Sequence, residues 1–302
     1  MILAIWKVSD NMNQVADQWT DYECIDTGNG EKLERWKDVI LRLPDPQTLW
    51  PIGNEDRLWK QPHAHYHRSK SGGGSWEFKK KLPQEWTINY KHLTFKVSPT
   101  GFKHTGLFPE QAANWEWMME AIKNADRPIR VLNLFAYTGG ATMACASAGA
   151  SEVVHVDASK GMVNWAKENM QLSHLEDKTI RFIVDDVLKF VAREKRRGHT
   201  YHAIIMDPPS YGRGPNGEIW KIEEKLYPLI QACLEILDDE PLFFLVNSYT
   251  TGFPPTVLNN ILTTTILQRH PNGKIDAGEI GLPISRTNTV LPCGIYGRWI
   301  QK

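Results

Sequence analysis

Apolar residues follow two regimes along the chain. In residues 22–43 they alternate with polar ones: Tyr22-Glu23-Cys24-Ile25-Asp26, a turn through Thr27-Gly28-Asn29-Gly30, then 32–36 and 39–43. Alternation of period two, broken by a glycine turn, predicts a hairpin and a third strand. Pro44, Pro46 and Pro51 mark a loop. The stretch 58–75 is polar and ends in Ser71-Gly72-Gly73-Gly74-Ser75, which reads as a flexible tip. Strands resume at 76–78 and 87–97. Residues 1–20 carry no decisive pattern. Residues 1–98 are expected to form a small, mostly antiparallel β-rich domain.

From residue 99 the regime changes, and 99–302 is expected to be a second domain. Compact apolar runs at 131–135, 153–156, 180–184, 201–206 and 241–248 alternate with helical spacing at 141–148, 159–172, 187–197 and 223–237. A further helix is predicted at 255–267, and runs 274–280 and 293–300 form a terminal antiparallel pair. Buried strands alternating with helices predict an α/β fold with a doubly wound, Rossmann-like sheet.

Within it, 131–157 is the most informative stretch. An apolar strand runs into Ala136-Tyr137-Thr138-Gly139-Gly140, an Ala-rich helix follows, and a second strand ends at Asp157. Ligands of such sheets sit beyond the carboxyl ends of the strands. The glycines let a ligand approach the backbone, and the helix start offers free N–H groups. The turn is not G-x-G-x-x-G, so a pyrophosphate is not expected. A nucleoside with a short charged tail fits, and S-adenosyl-L-methionine is one. Asp157, followed by Ala158 and Ser159, is placed to accept from both ribose hydroxyls, and Ser159 to cap the next helix.

Two more strand ends carry acids. Asp185-Asp186 precede Val187 at a helix start. The carboxylate of Asp186 is the preferred acceptor for an adenine amino group, with the next N–H reaching a ring nitrogen; either acid also suits a helix cap. Asp207-Pro208-Pro209-Ser210-Tyr211 follows the fourth strand. The prolines stiffen the loop and remove N–H groups, so the Asp207 carboxylate and the Pro208 carbonyl can hold an amino group or polar base edge, and Tyr211 can stack on it. The loop bearing Gly212, Gly214 and Gly217 can close over substrate. Upstream, Pro109 and Glu110 suit a helix start. Gln111 is a candidate contact for the amino-acid end of the ligand, while Trp115, Trp117 and Met118 read as core.

Composition adds an asymmetry. Lys+Arg and Asp+Glu balance at 35 each, yet residues 57–103 hold ten Lys/Arg against Glu77 and Glu85. Interleaved with Trp59, Tyr66, Trp76, Trp86 and Tyr90, this basic region suits phosphates and unstacked bases, so RNA is the expected partner. The four cysteines, Cys24, Cys145, Cys233 and Cys293, are scattered without metal-ligand spacing. No metal is expected, and they read as reduced thiols of a cytoplasmic protein. No signal peptide or membrane span is expected.

Three blocks together carry a resemblance: 105–111 (Thr-Gly-Leu-Phe-Pro-Glu-Gln), the turn 133–140, and Asp185-Asp186-Val187 followed by Asp207-Pro208-Pro209-Ser210. On them the chain resembles the class I S-adenosylmethionine-dependent methyltransferases, and more narrowly the bacterial 23S rRNA large-subunit methyltransferase group. The resemblance implies a seven-stranded sheet with the last strand antiparallel. It implies cofactor roles for Phe108, Gln111, Asn133, Phe135, Gly139, Asp157, Asp186 and Asp207. Ala136, Thr138, Ala158, Ser159, Asp185 and Val187 complete the expected cofactor shell, with Asp207, Pro208, Pro209 and Tyr211 as the catalytic set. Cytosine-C5 members place a nucleophilic Cys just after the fifth strand. Here Val246-Asn247-Ser248-Tyr249 stands there, and Ser210 stands where another class has Cys. Direct in-line transfer to a base nitrogen of RNA, ribosomal RNA first, is therefore expected. A methyltransferase for a protein or small molecule, or a non-catalytic RNA-binding relative, is the alternative.

Overall fold

The computed structural model describes residues 13–69, 73–101, 103–213 and 219–302. The expectations for residues 1–12, for Ser71-Gly72 and for the loop with Gly214 and Gly217 lie outside the described residues. The chain opens with β1 (Asn13–Val15), β2 (Tyr22–Gly28), β3 (Glu31–Trp36) and β4 (Val39–Pro44). One helical turn, α1 (Arg57–Lys60), leads to β5 (Ala64–Arg68) and β6 (Gly74–Phe78). The hairpin β7 (Trp86–Tyr90) and β8 (Leu93–Val97) follows. After a 3-10 turn at Pro109–Gln111 come α2 (Ala112–Lys123), β9 (Arg130–Leu134), α3 (Gly140–Ser147) and β10 (Glu152–Asp157). Then come α4 (Lys160–Leu172), β11 (Ile180–Val184), α5 (Val187–Arg197) and β12 (Ala203–Met206). A ribbon of β13 (Tyr211–Arg213) and β14 (Ile219–Lys221) leads into α6 (Ile222–Leu234) and β15 (Phe243–Ser248). The chain closes with α7 (Pro255–Thr264), α8 (Ile266–Arg269), β16 (Gly273–Ile284) and β17 (Thr289–Gln301).

Seven strands form the expected sheet in the order β11-β10-β9-β12-β15-β17-β16. The first five are parallel, and β17 runs antiparallel to both β15 and β16. Strand order reverses between β9 and β12, the switch point at which such sheets open a ligand crevice. The segments leaving those strands are the Phe135–Gly139 turn and the Asp207-Pro208-Pro209 loop.

The N-terminal strands extend this sheet. β2 meets the end of the long β16 at Cys24 and Ile284, and β3, β4, β5 and β6 continue outward. The hairpin β7–β8 instead lies on the helical layer. The rings of Phe95 and Trp115 are 5.3 Å apart, and those of Tyr90 and Trp115 5.6 Å. Backbone N–H groups of Thr94 and Lys96 donate to Ser173 Oγ (3.0 Å) and Asn169 Oδ1 (2.9 Å) at the end of α4. One apolar layer, on the α2 and α3 side of the sheet, thus includes Tyr90, Phe95, Trp115, Met118 and Met143. The other, on the α5, α6 and α7 side, includes Phe190, Leu226, Leu229 and Leu258.

Several local expectations change. The stretch 58–75 is not a polar loop: Trp59 is buried, and β5 alternates Ala64 and Tyr66 inward with His65 and His67 outward. A small inward residue had hidden the alternation. Residues 87–97 are two strands, because Lys91 turns the chain at φ 51°. The helix expected over 255–267 breaks at Thr265 (φ −121°, ψ −88°). Arg193 in α5 pairs with Asp185 at 2.6 Å. Cys145 and Cys233 are buried in α3 and α6. Among the described residues no helix is long and apolar enough to cross a membrane.

Phe95 is fully buried in the layer that joins the hairpin to α2. Phe95→Ala should lower unfolding free energy by about 3–5 kcal/mol in urea denaturation. A loss below about 1 kcal/mol would contradict a shared core.

Candidate active site

The glycine turn is built around one carboxylate. Asp157, at the tip of β10, accepts the Tyr137 N–H on Oδ2 (2.9 Å) and the Ser159 N–H on Oδ1 (2.8 Å). It thereby ties the turn after β9 to the start of α4. Burial raises its pKa. Phe135 and Tyr137 sit at φ 55° and 50°, and Gly139 at φ 86°. Such backbone is costly for non-glycine residues and persists only where surroundings impose it. Here Ala136 N–H donates to Val156 O (3.0 Å), Thr138 Oγ1 to Gly106 O (2.6 Å), and Asn169 Nδ2 to Thr138 O (2.9 Å). No side chain caps α3, so the N–H groups of its first turn face the crevice.

Below the turn, Asn133 is buried and donates to Thr142 Oγ1 (3.0 Å), which meets His155 Nδ1 at 2.9 Å. Burial drives His155 down to about 3, so its imidazole is neutral. Phe135 packs edge-on against Trp220 at 5.1 Å. Ala158 and Ser159 are exposed, and Ser159 caps α4 through the Met162 N–H (3.4 Å). Asp186 caps α5 through the Lys189 N–H (2.9 Å), Asp185 pairs with Arg193, and Val187 is buried.

On the far side of the crevice, Asp207 is half-buried and Pro208 buried. Burial, and then the charge of Glu110, push Asp207 up to about 7. Glu110, itself buried, is raised first by burial. Pro209 O accepts from Trp220 Nε1 (2.6 Å), and Ser210 Oγ meets Thr250 Oγ1 at 2.7 Å. Tyr211 is exposed, and its hydroxyl accepts from Arg213 Nε (3.0 Å).

Tyr249, just beyond β15, was not singled out as a functional residue from sequence. Its hydroxyl accepts from Gln111 Nε2 (2.7 Å), and its ring lies 5.5 Å from Phe108. Phe108 is also 5.4 Å from Tyr137, so it bridges the glycine turn and the β15 loop. Burial, then Glu110 and Asp207, hold the Tyr249 hydroxyl well above its ordinary pKa. Behind Gln111, Asn114 Nδ2 donates to Gln111 Oε1 (2.9 Å) and Asn247 Oδ1 (2.8 Å). Asn114 Oδ1 accepts from Arg298 Nε (3.0 Å). That buried network fixes Gln111 and Asn247. It joins residues far apart in sequence, which no local pattern signals.

The sequence profile of the S-adenosylmethionine-dependent methyltransferase family matches residues 57–223. The chain belongs to that family. It is similar to the crystal structure of a SAM-dependent methyltransferase from Agrobacterium tumefaciens, with 37% identity, TM-score 0.91, and 97% of this chain and 94% of that chain covered. Ribosomal RNA large subunit methyltransferase K/L of Shewanella frigidimarina is 28% identical over 74% of this chain and 31% of that protein. Its counterpart from Marinobacter nauticus is 25% identical over 72% of this chain and 28% of that protein. The chain therefore spans less than a third of the length of these two relatives in the match.

S-adenosylmethionine is the methyl donor of this methyltransferase. The residues present fit it. The uncapped start of α3 suits a carboxylate tail. A Cβ on Gly139 would lie 3.1 Å from Ala166 Cβ and Met143 Cε, which keeps a side chain out of the turn.

The Asp207 shift has a consequence for stability. A carboxyl whose folded pKa is raised from 3.8 to about 7 stabilises the fold fully below pH 3.8, and loses that contribution as pH rises to about 7. Asp207→Asn should therefore raise the unfolding free energy little at pH 4.5 and most at pH 8, by about a few kcal/mol at the upper end, with the thermal midpoint following. Calorimetry of the cofactor-free protein checks this. An equal effect at both pH values would deny the shift.

Proposed function

We propose that the methyltransferase transfers a methyl group directly to a nitrogen of an RNA base, without a cysteine nucleophile. The observation that carries this reading is the Asp207-Pro208-Pro209 loop, set across the switch point from the Asp157 turn and beside Phe108, Glu110 and Tyr249. Asp157 would hold the ribose, the first turn of α3 and Gln111 the amino-acid end, and the Asp185–Val187 segment the adenine. Asn133, Phe135, Ala136, Thr138, Gly139, Ala158, Ser159 and Phe108 would shape the rest of that site. Asp186 and Ser159 already cap helices, so their backbone and remaining lone pairs are what they offer.

The bound sulfonium supplies an electrophilic methyl. The chain's own part is positioning. The Asp207 carboxylate and the Pro208 carbonyl orient the acceptor nitrogen, and Tyr211 stacks on its ring. Above pH about 7 the ionised Asp207 can also receive an N–H of the nucleophile. Cys293 offers no covalent route: burial, then Glu110, hold its thiol protonated, well above the ordinary range.

Residues 1–98 would grip the RNA as a unit. Lys79 Nζ donates to Lys60 O (3.1 Å) and Lys80 Nζ meets His63 Nε2 at 3.0 Å, which gathers basic groups beside the β5–β6 hairpin, where Arg68 is exposed. Lys91 and Lys96 are instead paired with Glu116, and with Glu85 and Glu168. The phosphate-binding face would therefore be β5–β6 rather than β7–β8. The relatives named for ribosomal RNA support RNA as the substrate, and ribosomal RNA as its source. A protein in the cytoplasm would meet it there.

Purified protein should transfer radiolabel from S-adenosylmethionine to RNA from cells lacking it, and Asp207→Ala should abolish this. Nucleoside digestion names the base. Label entering protein or a metabolite instead would overturn the RNA reading. Asp157→Ala should weaken cofactor binding by about 10–100-fold in calorimetry, the cost of one charge-assisted contact set. Unchanged affinity would remove Asp157 from the cofactor site.

A further inference from the structure

A cavity of about 360 Å³ opens where the N-terminal strands meet the methyl-transfer side of the sheet. Its walls include Phe108, Glu110 and Tyr249 on one side, and Lys32, Glu34 and Asp45 from β3 and the end of β4 on the other. Nothing in the family match or in the roles already given to residues 1–98 uses this second wall.

The polar floor is fixed before any ligand arrives. Lys32 Nζ lies 2.7 Å from Glu34 Oε1 and 3.8 Å from Asp45 Oδ2. Glu34 also accepts from Tyr22 Oη (2.7 Å) and Trp36 Nε1 (3.1 Å), so its oxygens are occupied. Burial disfavours the ammonium, but Glu34 and Asp45 outweigh it and keep Lys32 charged. An ammonium has three donors, and Glu34 takes one at short range. Lys32 is thus a partly buried cation with donors left over, on a cavity wall that also carries Lys103, His104, three carboxylates and aromatic rings. The size lies within the range of small-molecule sites, and a single flipped base is among the smaller ligands of that class. Rings of Phe108 and Tyr249 offer planar faces. Glu110 and Tyr249 belong to the cavity wall and couple electrostatically to Asp207, which does not itself line it.

We infer that this cavity receives the methyl-acceptor base, turned out of its strand, with Lys32 donating to a carbonyl or ring-nitrogen acceptor on the base edge. This deepens the RNA reading and rests on it. The N-terminal strands then do more than bind phosphate: β3 selects the base. Lys32 is a specificity-determining residue whose donor is aimed by Glu34. Cys293, on β17, forms another part of the wall, and a larger side chain there would take up cavity space while leaving the Lys32 ammonium in place.

The test is single-turnover methyl transfer to RNA from cells lacking the protein, with cofactor affinity and melting temperature measured in parallel. Lys32→Met should slow transfer by about 10–100-fold, the usual effect of losing one hydrogen bond from a charged donor. Lys32→Arg should recover part of the rate. Cys293→Phe should block transfer by filling the cavity. Each folded variant should bind S-adenosylmethionine as the wild type does. Wild-type rates in folded Lys32→Met or Cys293→Phe protein would overturn the assignment while leaving the RNA reading intact. Wild-type protein that binds the cofactor but labels no RNA would overturn both.

Discussion

The structure turns on the Asp157 carboxylate. Its two oxygens take one N–H from the turn after β9 and one from the start of α4. Without that acceptor, Phe135 and Tyr137 would have little reason to stay at positive φ. Such strain costs on the order of 1–3 kcal/mol per residue, and several interlocking hydrogen bonds oppose it. The consequence is a turn whose shape is set before a ligand arrives. Preorganisation of this kind reduces the ordering cost of binding.

The constraint propagates outward. Thr138 is held at its hydroxyl by Gly106 and at its carbonyl by Asn169, and Asn169 also accepts from Lys96 in β8. The β7–β8 hairpin is thus two hydrogen bonds from the glycine turn. Phe108 spans from Tyr137 to Tyr249, and Gln111 anchors Tyr249. The chain from hairpin to turn to β15 loop is continuous, so shifts in the N-terminal segment can reach the crevice through packed contacts.

Much of this was legible in sequence. The parallel strands, the helices between them and the terminal antiparallel pair follow from compact apolar runs and caps such as Ser159 and Asp186. The seven strands, with the last antiparallel, followed from the resemblance. What escaped depends on long-range pairing. β2 joins the sheet through Cys24 and Ile284, 260 residues apart in the chain, and alternation within β2 cannot show which edge it will meet. Trp59 was read among the aromatics suited to unstacked bases, yet it is buried beneath Arg42 and donates to Asp26, and Tyr66 and Tyr90 are buried as well. Glu110 was read as a helix-end charge, and Tyr249 only as the absence of a cysteine. Each gains its role by meeting the other across the crevice. Cys293 appeared incidental for the same reason: only folding brings it to the cavity that Lys32 of β3 also lines.

The electrostatics of the crevice fit a cationic ligand. Glu110 and Asp207 both have raised pKa values, because burial disfavours two neighbouring negative charges. Lys32 offsets part of that effect at Glu110, yet both carboxyls stay raised. A positive charge placed beside Asp207 shifts it toward the ionised form by opposite-charge attraction. By linkage, the ionised pair then binds that charge more tightly than the protonated pair does. A sulfonium carries such a charge and loses it when its methyl departs. Two acids beside the methyl donor would therefore favour the sulfonium over its neutral product, and the protonation state of Asp207 would follow the progress of transfer.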